Sequence, residues 1–574
     1  MRRTESVAGR LTSVASLAVG IPRFVRILGH QARAHAGFLV AALLVGAAVT
    51  TWIAARPQRH SARPFIRPPF DDVAFKLWNR FLVRDDGRVI LAVNEDGHFR
   101  LYEYSPGARR QLLPDTVDAI DAFLVGDRVV GLVDARGDDH LVPADPAVAS
   151  LVPGGSVESV FGSPDHRGAV VLTATGRELH WIDFTTGAVQ LISKVSRRME
   201  GVAFCSPSEI VVAHDGGLAL YDTSAKTTRP LARELAGRKR NPSCANGEIL
   251  LSAEDGGELY GIYRIADIHG DGPPERLLRE GHDLLEPKRR GDFVYFVAVI
   301  DSEYLLRRLS LRTGRSEDLT RNGVVYEYEL IGTDTLVYSH RDMQTPAAVI
   351  SMSLIDRSTS IIERERADVL FGIESVPAQD GRSGAFVFQP PASTPPAGSI
   401  LYFGPRGADV SPRWDRHLMG LLYQGYTIYA PNYPGSVGFG RSYEDAPLSR
   451  AVDDMTRWGT FVKSRSHPVC YLSVSSGNVV MESVLGSDSA NVVAAAAMFG
   501  LSSSPAYRPP VPTLFALGEE DPIVPFGRRT ADLRLLGDPN VRVVGYANEG
   551  HWLHRREDLD DLLRRIHEAC QGGG

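Results

Sequence analysis

The chain has 574 residues and a net charge of −6, long enough for more than one buried core. Hydrophobic residues make up 43% and charged residues 23%, an ordinary globular balance that excludes global disorder. Without a basic stripe or zinc-finger spacing, nothing points to a nucleic-acid partner. Residues 1–35 form an arm with Arg2, Arg3, Arg10, Arg23, Arg26 and Arg33 against Glu5 alone. Residues 36–55, AGFLVAALLVGAAVTTWIAA, carry no charge; a helix of about 20 apolar residues spans a bilayer core. The basic arm predicts a cytoplasmic N-terminus, so the chain reads as a single-pass inner-membrane protein with its bulk in the periplasm or outside the cell. Arg56, Arg59, Arg63 and Arg67 follow and weaken that bias. A cleaved signal peptide is one alternative, although its apolar run is usually only about 7–15 residues; a buried soluble helix is another. Cys205 and Cys244 fall in the first large region, Cys470 and Cys570 in the last. One disulfide per domain in an oxidising compartment and four free thiols are both compatible with that split. With no CxxC and no HExxH, no metal site is expected, and no cofactor.

Residues 70–365 read as short alternating strands broken by Gly, Asp, Asn or Pro. A unit of strand, polar turn and strand recurs about every 40 residues. It begins LYEYSPGARRQLLP at Leu101, HLVPADPAVASLVP at His140 and HWIDFTTGAVQLIS at His180. It continues as ALYDTSAKTTRPLA at Ala219, YRIADIHGDGPPER at Tyr263, RRLSLRTGRSEDLT at Arg307 and ISMSLIDRSTSIIE at Ile350. Near-equal spacing favours an all-β seven-bladed propeller over a pair of β-sandwiches. The unit at His140 is the weakest match.

From 366 to 574 the rhythm changes. SILYFGP, YTIYAPNYP, PVCYLSV, VPTLFALG and VRVVGYA are apolar runs of the kind buried parallel strands need. Helical stretches, WDRHLMGLLYQG, DAPLSRAVDDMTRWGTFVKS, NVVMESVL and REDLDDLLRRIHEAC, alternate with them. The alternation predicts a doubly wound parallel sheet, in which GAFVFQ is a further strand and QPPASTPPAG a surface loop.

The strand PVCYLSV runs into Ser473-Val474-Ser475-Ser476-Gly477. A strand, a tight turn of small residues and a helix are the setting of a nucleophile elbow, usually G-x-S-x-G. Centring the pattern on Ser475 keeps the second glycine and replaces the first with Ser473; a plain strand–helix turn is the alternative. A serine hydroxyl needs a base, and the base a carboxylate to fix its tautomer. Asp521 follows VPTLFALG and His551 follows VRVVGYA, so Ser475, Asp521 and His551 occupy successive strand ends in the order such a triad requires. Glu519 and Glu520 are rival acids and His554 a rival base.

These motifs resemble the prolyl oligopeptidase family of serine peptidases. YAPNYPGSVGFGRSY is similar to its P-N-Y-R-G-S-x-G-Y-G segment, LGEEDPIVPF to H-G-x-x-D-x-x-V-P, NEGHWL to G-E-G-H-G-F, and YFGP at 402–405 to Y-x-G-P. The resemblance implies a propeller placed before an α/β-hydrolase domain and hydrolysis of short or flexible peptides through an acyl-serine. It also implies that the Ser476 N–H and the Tyr402 hydroxyl form the oxyanion hole. Pro434 replaces the arginine of N-Y-R-G, and Ser473, Ser476 and Asn478 depart from the usual elbow. Those departures keep two other readings open: a weak or inactive relative that binds peptides or proteins through its propeller, and a non-peptide esterase.

Overall fold

The computed structural model describes residues 64–572 apart from 69–72, 76–80, 85, 96, 135–140, 174–176, 197–198, 215, 366–370, 378–383, 414, 501–503, 505–506, 522 and 536. The anchor expected at 36–55 lies outside the described residues. Among those described, no helix is long and apolar enough to cross a membrane.

Among the described residues, six antiparallel sheets run from strand Val73–Phe75 to strand Thr359–Arg364. Six of the seven repeats of the sequence are outer hairpins, such as Gly217–Asp222 paired with Thr227–Pro230. The aspartate ending the first strand makes the turn: Asp222 Oδ1 accepts from the N–H groups of Ser224 and Ala225, at 2.8 and 2.9 Å, and Asp183 does the same for Thr185 and Thr186. Such side chains replace backbone partners and favour the turn over a continued strand. The repeat at His140 departs for a local reason. Asp145 caps a short helix, Pro146–Ala149, with Pro at its first position, so a helical turn stands where the outer strand would run. That sheet continues instead through the single pair Leu141↔Val157, joining two repeats into one seven-stranded sheet.

A sheet that is apolar on both faces must be covered on both, which an array achieves by closing. The first sheet supplies Phe81, Val89, Leu91 and Tyr104 to a cluster shared with Val337 and Val349 of the last. Tyr104 Oη also donates to Glu363, at 2.8 Å. The sheets therefore form a closed, propeller-like ring. Cys205 and Cys244 pair across two neighbouring sheets of it.

The remaining chain builds an eight-stranded sheet: β1 (Gly372–Pro377), β2 (Gly384–Gln389), β3 (Gly398–Phe403), β4 (Tyr426–Pro431), β5 (Val469–Val474), β6 (Val492–Met498), β7 (Thr513–Gly518) and β8 (Val541–Tyr546). Their order is β1-β2-β4-β3-β5-β6-β7-β8, parallel from β4 onward, with β2 antiparallel to both its neighbours. Among the described residues, five helices of eight residues or more flank it: α1 (Arg416–Tyr423), α2 (Leu448–Arg465), α3 (Gly477–Ser487), α4 (Phe526–Leu535) and α5 (Arg556–Cys570). Alternate residues of β5 serve opposite faces. Cys470, Leu472 and Val474 join the core under α1 and α5, while Val469 and Tyr471 join the core under α2 and α3. Cys470 is disulfide-bonded to Cys570 at the end of α5.

Residues 64–68, which precede the ring in sequence, dock on this domain. The backbone of Ile66 exchanges two hydrogen bonds with the Gln424 side chain, and Arg556 Nη2 donates to Pro68 O. The ring and the hydrolase domain meet through charge. Arg238 grips Asp445 with two hydrogen bonds and Glu444 with a third, at 3.1 Å, and Arg441 faces Glu254 at 3.3 Å.

Candidate active site

The sheet ends at one rim, and three turns meet there. The first follows β5. Ser475 adopts φ = +50°, left-handed backbone that costs a non-glycine residue about 1–3 kcal/mol and persists only where neighbours fix it. Its N–H donates to Met498 O at 3.0 Å, and Asn478 N–H donates to its carbonyl at 3.1 Å. Gly477 is required by close approach: a Cβ there would collide with the carbonyl oxygens of Phe403 and Gly404. Ser476 caps α3 with helical dihedrals, and its Oγ accepts from Arg406 N–H at 2.9 Å. Its own N–H belongs to the set that a helix start leaves without intrahelical partners.

The second turn follows β7, and the third follows β8. Gly518 packs so tightly on the Glu549 and Gly550 carbonyls that no side chain fits, and Glu520 N–H donates to Glu549 O at 3.0 Å. These contacts bring Asp521 and His551 together. Asp521 Oδ2 and His551 Nδ1 are 2.8 Å apart, and Asp521 Oδ1 accepts from the N–H groups of Ile523 and Val524 at 2.8 and 2.9 Å. The aspartate side chain is fully buried, the imidazole nearly so. The rivals go elsewhere. Glu519 and Glu520 are exposed, and His554 pairs with Glu549 and packs edge-on against Phe99 of the ring.

Ser475 and His551 rest on one turn, Met498-Phe499. Ser475 is hydrogen-bonded to the first residue; the His551 ring lies 5.8 Å from the ring of the second. No hydrogen bond joins the Ser475 hydroxyl to the imidazole in this structure; catalytic hydrogen bonds commonly tighten only when substrate is bound. Tyr402 lies near the end of β3, paired with Leu472 of β5. Burial, then the nearby charge of Asp415, drives its hydroxyl well above the usual tyrosine range, so it stays a proton donor. The sequence did not single out Phe499 or Trp552, whose rings flank His551. Each stands just past a strand end or beside the histidine, and that position was the available signal. Among the described residues no cluster of His, Cys, Asp or Glu could hold a metal ion.

No family model matches the sequence, and no curated protein does. Solved structures do match. A puromycin-hydrolysing peptidase of Mycobacterium tuberculosis superposes with a TM-score of 0.69 at 15% identity, over 89% of this chain and 98% of that one. A prolyl endopeptidase matches with a TM-score of 0.69 at 15% identity, over 91% and 93%. Oligopeptidase B of Leishmania major matches with a TM-score of 0.67 at 11% identity, over 88% and 87%. The chain has the prolyl oligopeptidase fold. In this prolyl oligopeptidase fold a cavity of about 210 Å³ opens between ring and rim. Tyr402, Trp552 and Leu553 line it from the hydrolase domain, Asn94, Phe99 and Arg341 from the ring. Ser475, Asp521 and His551 do not line it; Trp552, with its ring 5.8 Å from that of His551, connects the cavity to them.

Proposed function

We propose that this chain is a serine hydrolase acting on short or flexible peptides. The observation that carries the reading is the buried Asp521–His551 pair at 2.8 Å, on the same rim as a serine held at φ = +50°. Ser475 Oγ attacks the scissile carbonyl carbon while His551 Nε2 takes its proton. Asp521 holds the proton on Nδ1, so Nε2 stays an acceptor. The Ser476 N–H and the Tyr402 hydroxyl receive the developing oxyanion. His551 then protonates the leaving amine, and water, deprotonated by the same imidazole, hydrolyses the acyl-serine.

Peptides are the preferred class because the folds it matches include peptidases, one of them bound to a 35-residue hydrolysis and macrocyclisation substrate. The ring, read as seven blades with the seven-stranded sheet counted as two, caps the rim and favours substrates slender enough to pass it. The anchor reading of residues 36–55 extends to a catalytic domain outside the cytoplasm. Two disulfides that use all four cysteines support export.

A fluorophosphonate probe tests the reading. Its label requires an activated serine, so labelling of the full chain should disappear in Ser475→Ala, and peptide turnover should fall by about 10³-fold or more. Folded wild-type protein that takes no label and cleaves neither peptides nor esters would leave the ring as a binding scaffold instead.

A further inference from the structure

The elbow carries two residues larger than its pattern needs, and the structure gives both a use. Ser473 Oγ donates to Asn478 Oδ1 at 3.2 Å. Asn478 Nδ2 donates to Glu482 Oε1 at 2.9 Å. That same carboxylate oxygen lies 3.6 Å from Nη2 of Arg529. All four residues are buried. The chain of groups starts two residues before Ser475, crosses to the first turn of α3, and ends on α4, the helix that follows the Asp521 loop.

A buried polar chain adds little net stability over an apolar core of equal volume. What it supplies is geometry. Both edges of the Asn478 amide are occupied: the bond to Ser473 spans the intervening turn, so a rotation of that turn would break it, and the bond to Glu482 of the same helix fixes the orientation of the amide. Ser475 lies in that turn. Asn478 also packs flush on Gly500, where an added Cβ would come within 3.0 Å of its Cβ and Cγ. Gly500 follows Phe499, the ring that supports His551. One amide thus touches the nucleophile's turn and the turn behind the base.

We propose that Asn478 and Glu482, with Ser473 and Arg529 at the ends of the chain, are positioning residues that align Ser475 Oγ with His551. The inference rests on the hydrolase reading above. It predicts an effect on the chemical step and not on substrate binding.

The test uses the purified full chain, a fluorophosphonate whose fluoride is displaced by Ser475 Oγ as His551 takes the proton, and 4-nitrophenyl acetate. Asn478→Ala and Glu482→Ala should each lower the labelling rate and kcat at least tenfold, with KM within about twofold of wild type. Glu482→Gln keeps the oxygen that accepts from Asn478 and should recover most of the rate. Ser473→Ala removes one hydroxyl, is the mildest change to folding, and should also slow labelling. Combined with Asn478→Ala it should add nothing, because the two act through one hydrogen bond. Folded variants that label at the wild-type rate, or that raise KM with kcat unchanged, overturn the inference alone. If Asn478→Ala does not fold, an unslowed Ser473→Ala still overturns it. Wild-type protein without label overturns the hydrolase reading and this inference together.

Discussion

Asp521 shows how one side chain can be fully committed. Oδ1 receives two backbone N–H groups from its own turn, and Oδ2 receives His551 Nδ1–H. Replacing it with asparagine changes almost no volume, and the amide oxygen can keep both backbone donors. The amide nitrogen then faces Nδ1 and donates where the carboxylate accepted. The imidazole must move its proton to Nε2, the atom that has to accept from Ser475. Asp521→Asn should therefore fold with a near-native thermal midpoint and bind substrate with an unchanged KM, while kcat falls by about 10³–10⁴-fold. Steady-state kinetics on any ester or peptide the protein cleaves would check this. A kcat within tenfold of wild type would remove Asp521 from the proposed triad and return Glu519 and Glu520 to consideration.

Between elements, the Cys470–Cys570 bridge ties β5, which delivers Ser475, to the last residue of α5, across a sequence separation of 100. A cross-link over so long a loop removes much unfolded-chain entropy, about 4–5 kcal/mol in the loop-closure model. The Cys470→Ala/Cys570→Ala double variant should lose about 2–5 kcal/mol of stability in urea denaturation, and an unchanged midpoint would show that the bridge contributes no net stability. The elements were unequally legible in the sequence. The hairpins beginning near Leu101, His180, Ala219, Tyr263, Arg307 and Ile350 could be read because an aspartate or glycine turn marks each one and the spacing repeats. The helix Arg556–Cys570 matches the span expected from its apolar stripe. Strand β6 went unread: VVAAAAM consists largely of alanine, which carries no strand signal. Its small residues are nevertheless what lets both helix layers approach the sheet centre, with Ala494 and Ala496 on one face and Ala495 and Ala497 on the other. The candidate site was legible as an order of strand ends, since chain order and the G-x-S-x-G remnant survive in one dimension. The Ser473–Asn478–Glu482–Arg529 chain was not, because its last member stands 47 residues from Glu482 in sequence and meets it only once the sheet has formed.

At the scale of the whole molecule, the ring and the hydrolase domain are held by polar contacts, and one of them should make their union sensitive to pH. Asp409 of the hydrolase domain accepts from Tyr304 Oη of the ring at 3.1 Å and from Ser411 Oγ at 2.6 Å. No cation forms an ion pair with it among the described residues, and burial pushes its carboxyl up to about 6. An acid whose folded value lies above its unfolded value favours the native state while protonated. That contribution is fully present below about pH 4 and is lost as pH rises through about 6. With a displacement of this size the ionised form costs the native state up to roughly 2–3 kcal/mol at neutral pH. Asp409→Asn removes the ionisation and keeps a group that both hydroxyls can partner. Measured by urea denaturation, the stability of the variant relative to wild type should rise between pH 4 and pH 7.5 by about 1–3 kcal/mol. A difference that stays constant across that range would mean that the Asp409 carboxylate is already as well solvated in the folded protein as in water, and that the ring–hydrolase junction is open to solvent at this point.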